Sequence, residues 1–204
     1  MSIENTRDSL DKAPAISPPA GVLRAVSTDS MLLVVDMQIR LLPAISNWLE
    51  VRNRVERVIR AARLLEVLVR VTEHCPDAIG GTDLDLRAHL ANADILTKRS
   101  FNALDDPDTA NHIKDLGRQS VAICGVEAHV CVAQTALGLR AAGYDVFVLE
   151  DACGSRHEGD RLVGLARLLQ AGCVPMTLEA MVFEWLGHAV HPRFRDLLAL
   201  IKEA

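Results

Sequence analysis

Aromatic side chains are the scarcest material in this chain: two Trp, one Tyr and four Phe among 204 residues. A base-stacking surface would need more. Positive charge is also short. Twenty-two Lys and Arg against 27 Asp and Glu leave a net charge of −5, which argues against a general nucleic-acid binder. No apolar run reaches the roughly 18 residues that a membrane span needs. The five cysteines, Cys75, Cys124, Cys131, Cys153 and Cys173, are odd in number and form no C-x-x-C pair. Neither a disulfide framework nor a structural zinc site is expected from them. Prolines and charges break the first apolar cluster, so no signal peptide is legible. The expectation is a cytoplasmic protein with reduced thiols that binds neither nucleic acid nor membrane.

Half of the residues are hydrophobic and 24% are charged, an ordinary globular balance for one domain. Such a chain buries about 70% of its unfolded surface without staples. Residues 1–28 read as an irregular arm, punctuated by Pro14, Pro18, Pro19 and Gly21, ahead of one domain over 29–204. Met31 to Asp36 is a continuous apolar run, the mark of a strand buried on both faces. Trp48, Val51, Val55, Val58, Ile59, Ala62 and Leu65 then follow helical spacing. Further strands read at Val67 to Thr72, Ile95 to Thr97, Ser120 to Gly125, Tyr144 to Leu149 and Val174 to Leu178. Helices read through Val130, Ala133, Leu137 and Ala141, through Leu162, Leu165, Leu168 and Leu169, and over two short segments, Met181 to Leu186 and Pro192 to Lys202. Alternating strands and helices predict an α/β fold with a mainly parallel sheet and helices on both faces.

In open α/β sheets, ligands bind outside the carboxyl ends of the strands. Asp36 ends the first strand, Lys98 the third, and Cys131 lies just past the fourth, near a helix start. Three strand ends thus offer an acid, an amine and a thiol to one pocket. A cysteine at a helix N-terminus sits where the macrodipole favours the thiolate. A carboxylate can take the thiol proton, a lysine can balance that carboxylate, and backbone N–H groups can hold an oxyanion. These parts make a nucleophilic acyl-transfer site that calls for no cofactor and no metal. Spacing alone leaves plainer readings open: Asp36 as a turn residue, Lys98 as a solvated lysine, Cys131 as helix packing. Cys131 shares a face with Gln134 and Gly138 rather than with Val130 and Leu137, which weakens the packing reading.

Several ordered motifs resemble those of the isochorismatase-like cysteine hydrolases. They are Leu33-Val-Val-Asp-Met-Gln38 with Leu41-Leu-Pro-Ala-Ile45, Lys98-Arg-Ser-Phe101, Cys124-Gly-Val-Glu-Ala-His-Val-Cys131, and Asp151-Ala-Cys-Gly-Ser-Arg156. The tail, Phe183-Glu-Trp-Leu-Gly187 with His191-Pro-Arg-Phe194, resembles the isochorismatase-domain-containing branch. The resemblance runs from about residue 30 to the C-terminus. It implies a Rossmann-like three-layer sandwich around a six-stranded parallel sheet. It implies a triad of Cys131 as nucleophile, Asp36 as base and Lys98 as electrostatic partner. It also implies a cis peptide at Val126–Glu127 that turns the Glu127 N–H beside that of Cys131 to form an oxyanion hole. Family members cleave C–N bonds of small amides, imides, ureas and carbamoyl compounds through a thioester-type intermediate. The namesake vinyl-ether hydrolysis uses no cysteine nucleophile, so Cys131 argues against it. The nicotinamidase Asp-x-His metal motif is absent from Thr72-Glu-His-Cys-Pro76, where His74 and Cys75 depart from the branch pattern.

Gln38, His74, Phe101 and Cys153 are candidates for the pocket wall. Glu127 is expected to contribute backbone, His129 to line the turn or a subunit contact, and Asp151 with Arg156 to form a structural link. Two metal donors, His74 and Cys75, lack a third. The family generally forms oligomers. At least a dimer is therefore expected, with the C-terminal helices or the arm near an interface. The competing functional class is a catalytically inactive α/β binding or scaffolding module, and the intact Asp36, Lys98 and Cys131 favour the hydrolase.

Overall fold

The computed structural model describes residues 23–203. Six strands form one sheet: β1 (Ser30–Val35), β2 (Leu68–His74), β3 (Ile95–Lys98), β4 (Ser120–Val126), β5 (Asp145–Gly154) and β6 (Val174–Met176). They lie in the order β3-β2-β1-β4-β5-β6, and every adjacent pair is parallel. The central pair, β1 and β4, is buried at every residue, which is why both read as unbroken apolar runs. Helices α1 (Trp48–Leu64), α2 (Pro76–Ile79), α3 (Leu84–Arg87), α4 (Pro107–Asp115), α5 (Ala133–Ala141), α6 (Glu158–Gln170), α7 (Leu178–Leu186) and α8 (Phe194–Ile201) complete the described chain. None is long and apolar enough to cross a membrane.

From β1 the chain steps outward to β2 and β3, then returns to β4 and steps the other way to β6. Right-handed crossovers therefore put α1 on one face and α5 and α6 on the other. α7 and α8 pack with α1, and α5 packs with α6. The seven positions expected on the inner face of α1 all pack on the core, with Val55, Val58, Ile59 and Ala62 fully enclosed. Val55, Val58 and Ile59 each contribute about 1.5–3 kcal/mol of burial before entropy is charged. The reversal of strand order between β1 and β4 opens the crevice in which this class of fold binds ligands.

Most of the expected 1–28 arm lies outside the described residues. Its last stretch docks on the domain: Ala25 is buried, and its N–H donates to the Glu184 carboxylate of α7 at 2.8 Å. Three short helices, α2, α3 and α4, went unread because they are polar and too brief to show a period. Pro76 and Pro107 start two of them, and the side chains of Asp83 and Asp106 cap α3 and α4. β5 runs on to Gly154 rather than stopping at Leu149. Its register against β4 shifts between Ile123 and Gly125, so the charged Glu150 and Asp151 ride in an irregular stretch before pairing resumes at Cys153. Leu162 and Leu169 of α6 are exposed, whereas Gly164, Leu165 and Leu168 are buried.

The stripe expected on the helix after β4 is also corrected. Of Val130, Ala133, Leu137 and Ala141 only Ala133 is buried. The buried positions are Ala128, Cys131, Val132, Ala133, Thr135, Ala136 and Leu139. The cause is a π-helical turn over Ala128–Val132, closed by the Val132 N–H donating to the Glu127 carbonyl at 3.2 Å. That wider turn rotates the following helix relative to a simple 3.6-residue count.

Candidate active site

Asp36 follows β1 directly, in the left-handed region with φ 52°. Its N–H donates to the Thr72 carbonyl at 3.1 Å, and its own carbonyl accepts from the Gln38 N–H at 2.8 Å. The carboxylate is fully enclosed. Oδ1 accepts from Thr72 Oγ1 at 2.6 Å and Oδ2 from Lys98 Nζ at 2.7 Å. Lys98 closes β3 and sends its ammonium inward, where it also donates to the Ser100 carbonyl at 3.2 Å. Neither side chain of this pair has any solvent exposure. Burying both charges seldom stabilises a fold on balance, so the pair demands another explanation.

The neighbouring crossover brings the third group. At the end of β4, Gly125 has φ 118°, and a Cβ there would stand 2.1 Å from the Val35 carbonyl oxygen. Only glycine lets β4 approach β1 this closely beside Asp36. The Val126–Glu127 peptide is cis. The π-helical turn then brings the Cys131 thiol close enough to Asp36 and Lys98 for both to act on its pKa. Cys131 thus lies on the packed face of its helix, not apart from it. Burial first, and the Asp36 charge second, push its thiol up to about 12, with Lys98 opposing. Burial beside a carboxylate thus favours the protonated thiol, against the thiolate-favouring pull expected of a helix start.

The remaining candidates divide. The Glu127 carboxylate accepts from the Arg156 N–H at 3.1 Å and from Arg156 Nε at 3.0 Å, while its carbonyl accepts from Val130 and Val132. Its side chain is thus committed to holding the turn. His129 Nδ1 and Ser155 Oγ share a hydrogen bond at 3.0 Å. Asp151 and Arg156 are both structural, as expected, but in two separate links rather than one. Asp151 sits within β5, accepting from Arg54 and from the Leu178 N–H, and Arg156 belongs to Glu127.

His74 and Phe101 stack with ring centroids 5.3 Å apart. His74 is in register with Lys98, so its side chain leaves the same face of the sheet, and the two rings stand beside the buried lysine. The Phe101 carbonyl accepts from Thr135 Oγ1 of α5. Gln38 is not wall. It is fully buried, and its amide clamps the His74 backbone from both sides and reaches the Gly80 carbonyl. Cys153 lies in β5 opposite Gly125 and borders a separate recess with Ser46, Asn47 and Val51. Thr72, Ser100 and Thr135 position the site and were missed. The alternation within β2 was the available signal, because Thr72 and His74 share a face. Among the described residues no group of three His, Cys, Asp or Glu side chains has metal-binding geometry.

An acid hydrogen-bonded to a buried cation, with a thiol nearby and a turn of backbone N–H groups beside them, can form and release an acyl–sulfur bond. The isochorismatase domain profile matches residues 30–180. This chain belongs to the isochorismatase family. Isochorismatase domain-containing protein 2 of Macaca fascicularis is 36% identical over 181 residues, 88% of this chain and 86% of that protein. The MAR1 ribonuclease of Caenorhabditis elegans shares the fold at a TM-score of 0.83 and 34% identity, over 89% of this chain and 94% of that one. The YcaC gene product of Escherichia coli, described as an octameric hydrolase of unknown specificity, follows at 0.80 and 26%, over 90% and 97%. The parallel sheet and flanking helices are thus the isochorismatase-like α/β fold, with hydrolases among its neighbours.

Proposed function

We propose that this chain is a cysteine-dependent hydrolase that cleaves the C–N bond of a small amide, imide, urea or carbamoyl compound. The observation that carries the reading is the fully buried Asp36–Lys98 pair, 2.7 Å apart, with both charges acting on the buried Cys131 thiol. A thiol pushed up to about 12 is protonated at neutral pH and needs a base at the moment of attack. Asp36 takes that proton as sulfur adds to the substrate carbonyl. The oxyanion faces the N–H groups of Glu127 and Cys131, and each such donor contributes about 3–4 kcal/mol in comparable sites. The protonated Asp36 passes its proton to the leaving nitrogen, the C–N bond breaks, and a thioester remains. Water then adds to the thioester while Asp36 takes its proton. Collapse releases the acid and restores the thiol. Lys98 balances the Asp36 charge throughout. We place the protein in the reducing cytoplasm, a reading supported by its five free thiols.

The test is a screen of small amides, imides and ureas for released amine or ammonia, with intact-mass detection of an acyl adduct on Cys131. RNA belongs in the screen as a control because one neighbour is called a ribonuclease. The net charge of −5 favours the small neutral substrates over a polyanion. Turnover of an authentic substrate at an undiminished rate by Cys131→Ala would refute the covalent mechanism.

A further inference from the structure

We propose that His74 determines substrate specificity: its imidazole pairs with a carbonyl carried on the leaving nitrogen, so that the site selects imides and acylureas over simple amides. This rests on the hydrolase reading above and narrows its substrate. The observation behind it is an orphaned atom. His74 Nδ1 is enclosed and has no hydrogen-bond partner among the described residues. Enclosed polar atoms are nearly always paired, and one that is not calls for an explanation. The other such atoms among the described residues belong to Arg54, Arg118, Arg140 and Trp185. His74 is the one of the five that stands at the carboxyl end of a strand, where ligands bind.

The backbone fixes where the ring stands. The His74 N–H donates to Gln38 Oε1 at 2.7 Å, and its carbonyl accepts from Gln38 Nε2 at 3.1 Å. Thr72, two residues earlier, shares its face and donates its hydroxyl to Asp36. Thr72 is in register with Val35, so His74 stands one strand over from Asp36 and one residue nearer the carboxyl edge. Phe101, from the chain after β3, stacks on the ring. The χ2 torsion of a histidine is soft, so a turn of the ring on this rim presents Nδ1 to a ligand.

The order of the strands sets what arrives there. The oxyanion turn follows β4, Asp36 follows β1 and His74 ends β2, with β1 between the other two. A substrate that turns its carbonyl oxygen to the Glu127 N–H and its nitrogen to Asp36 therefore extends the other substituent of that nitrogen toward His74. Neighbouring strands stand about 4.8 Å apart. An oxygen on the atom next to the nitrogen lies about 2.3 Å from it, and a hydrogen bond adds about 2.9 Å. Together these lengths span one strand step. A neutral imidazole can carry its proton on Nδ1 and donate to that oxygen. An alkyl substituent would leave Nδ1 without a partner, which penalises a simple amide.

Two probes of one skeleton test this: diacetamide, and N-ethylacetamide, in which a methylene replaces the second carbonyl. Both release acetate, so one assay reads both. Wild type is expected to prefer diacetamide. His74→Phe keeps a ring to stack on Phe101 and removes both nitrogens. Its KM for diacetamide should rise by about tenfold, and by more than its kcat falls. The preference for diacetamide in kcat/KM should shrink by about the same factor. His74→Gln, which returns polar atoms without a ring, should bring KM back to within about threefold of wild type. That rescue separates hydrogen bonding from packing, and circular dichroism checks that each variant is folded. An equal KM in wild type and His74→Phe, no rescue by His74→Gln, or a wild type that turns over neither probe overturns the assignment. The hydrolase reading is tested apart. Undiminished diacetamide turnover by Cys131→Ala would remove that reading and this inference with it, whereas an inactive Cys131→Ala beside an unaltered His74→Phe removes the role of His74 alone.

Discussion

Two carboxylate–cation pairs stand at the same edge of the sheet and do different things. Asp36–Lys98 lies at the ends of β1 and β3 with no exposure on either side chain. Glu127–Arg156 joins the turn after β4 to the chain after β5, and its arginine is 57% exposed. The enclosed pair acts on the Cys131 thiol and is hydrogen-bonded to Thr72 and Ser100. The open pair touches no reactive group, and Arg156 supplies its backbone N–H as well as its guanidinium, so the bond fastens chain to chain. Charge and distance alone would not separate them, at 2.7 and 3.0 Å. Burial and the third group do. A dry ion pair is a poor way to hold a fold together and a good way to hold a proton acceptor ready.

The largest expected effect falls on turnover. Asp36→Asn keeps the shape of the side chain and removes the base, so kcat/KM should fall by about a thousandfold or more. Lys98→Met should lose a comparable factor although lysine touches no bond that breaks. Glu127→Gln, which alters the other carboxylate, should fall by less than about tenfold, since its backbone rather than its charge is used. Steady-state kinetics on one amide substrate checks all three. A Glu127→Gln loss as deep as that of Asp36→Asn would erase the distinction between the pairs.

Stability should move differently from activity. Removing one partner of a buried pair strands the other charge, at a cost of about 3–5 kcal/mol. Asp36→Asn and Lys98→Met should each lose about that much in urea denaturation. The double variant, with neither charge left, should return to wild-type stability or exceed it by about 1–4 kcal/mol while staying inactive. A double variant as unstable as the singles would mean that the pair holds the fold after all.

How much of this was legible follows the kind of signal each element carries. β1 and the inner face of α1 were legible to within a residue at their ends, because an unbroken apolar run and a 3.6-residue period are local facts. The meeting of Asp36 and Lys98 was legible because both sit at strand ends, where the topology converges. Around the site, what failed depended on backbone irregularity. The π-helical turn moved Cys131 onto the packed face, and no composition or spacing announces such a turn. The register shift in β5 hid Asp151 and Cys153 inside a strand. How firmly the thiol holds its proton could not be read, since that depends on burial first and on the Asp36 charge second, both set by residues far from 131 in sequence.

That protonation gives the next test. Burial raises the Cys131 and Cys153 thiols to about 12 and Cys173 to about 11. Between about pH 9 and those values the folded chain keeps protons that the unfolded chain has released, so stability is full below pH 9 and is lost as pH rises. Each such thiol contributes up to about 1.4 kcal/mol of loss per pH unit in that window. Denaturation series at pH 9 and pH 10 should show a slope shallower by one proton in Cys131→Ser than in wild type. The Asp36 charge also helps to hold the thiol proton, and Lys98 opposes it. Labelling of Cys131 by iodoacetamide, followed by peptide mass spectrometry, should therefore quicken several-fold in Asp36→Asn and slow in Lys98→Met. Faster labelling alongside lost turnover would separate a reactive thiol from a working one.

The smallest effect is expected from the open pair. Arg156→Ala removes a guanidinium that is more than half exposed, and ion pairs of that kind contribute about 0–1 kcal/mol. Glu127 then keeps its bond from the backbone N–H of residue 156, which the substitution does not remove, so its carboxylate is not stranded. The turn should hold its place, Cys131 labelling should match wild type, and kcat/KM should change by no more than about threefold. A pair that fastens by backbone as well as by charge tolerates the loss of the charge. If Arg156→Ala instead collapsed turnover while denaturation showed the fold intact, the guanidinium would have to act on substrate. The open pair would then belong to the chemistry, and burial would no longer be what tells the two apart.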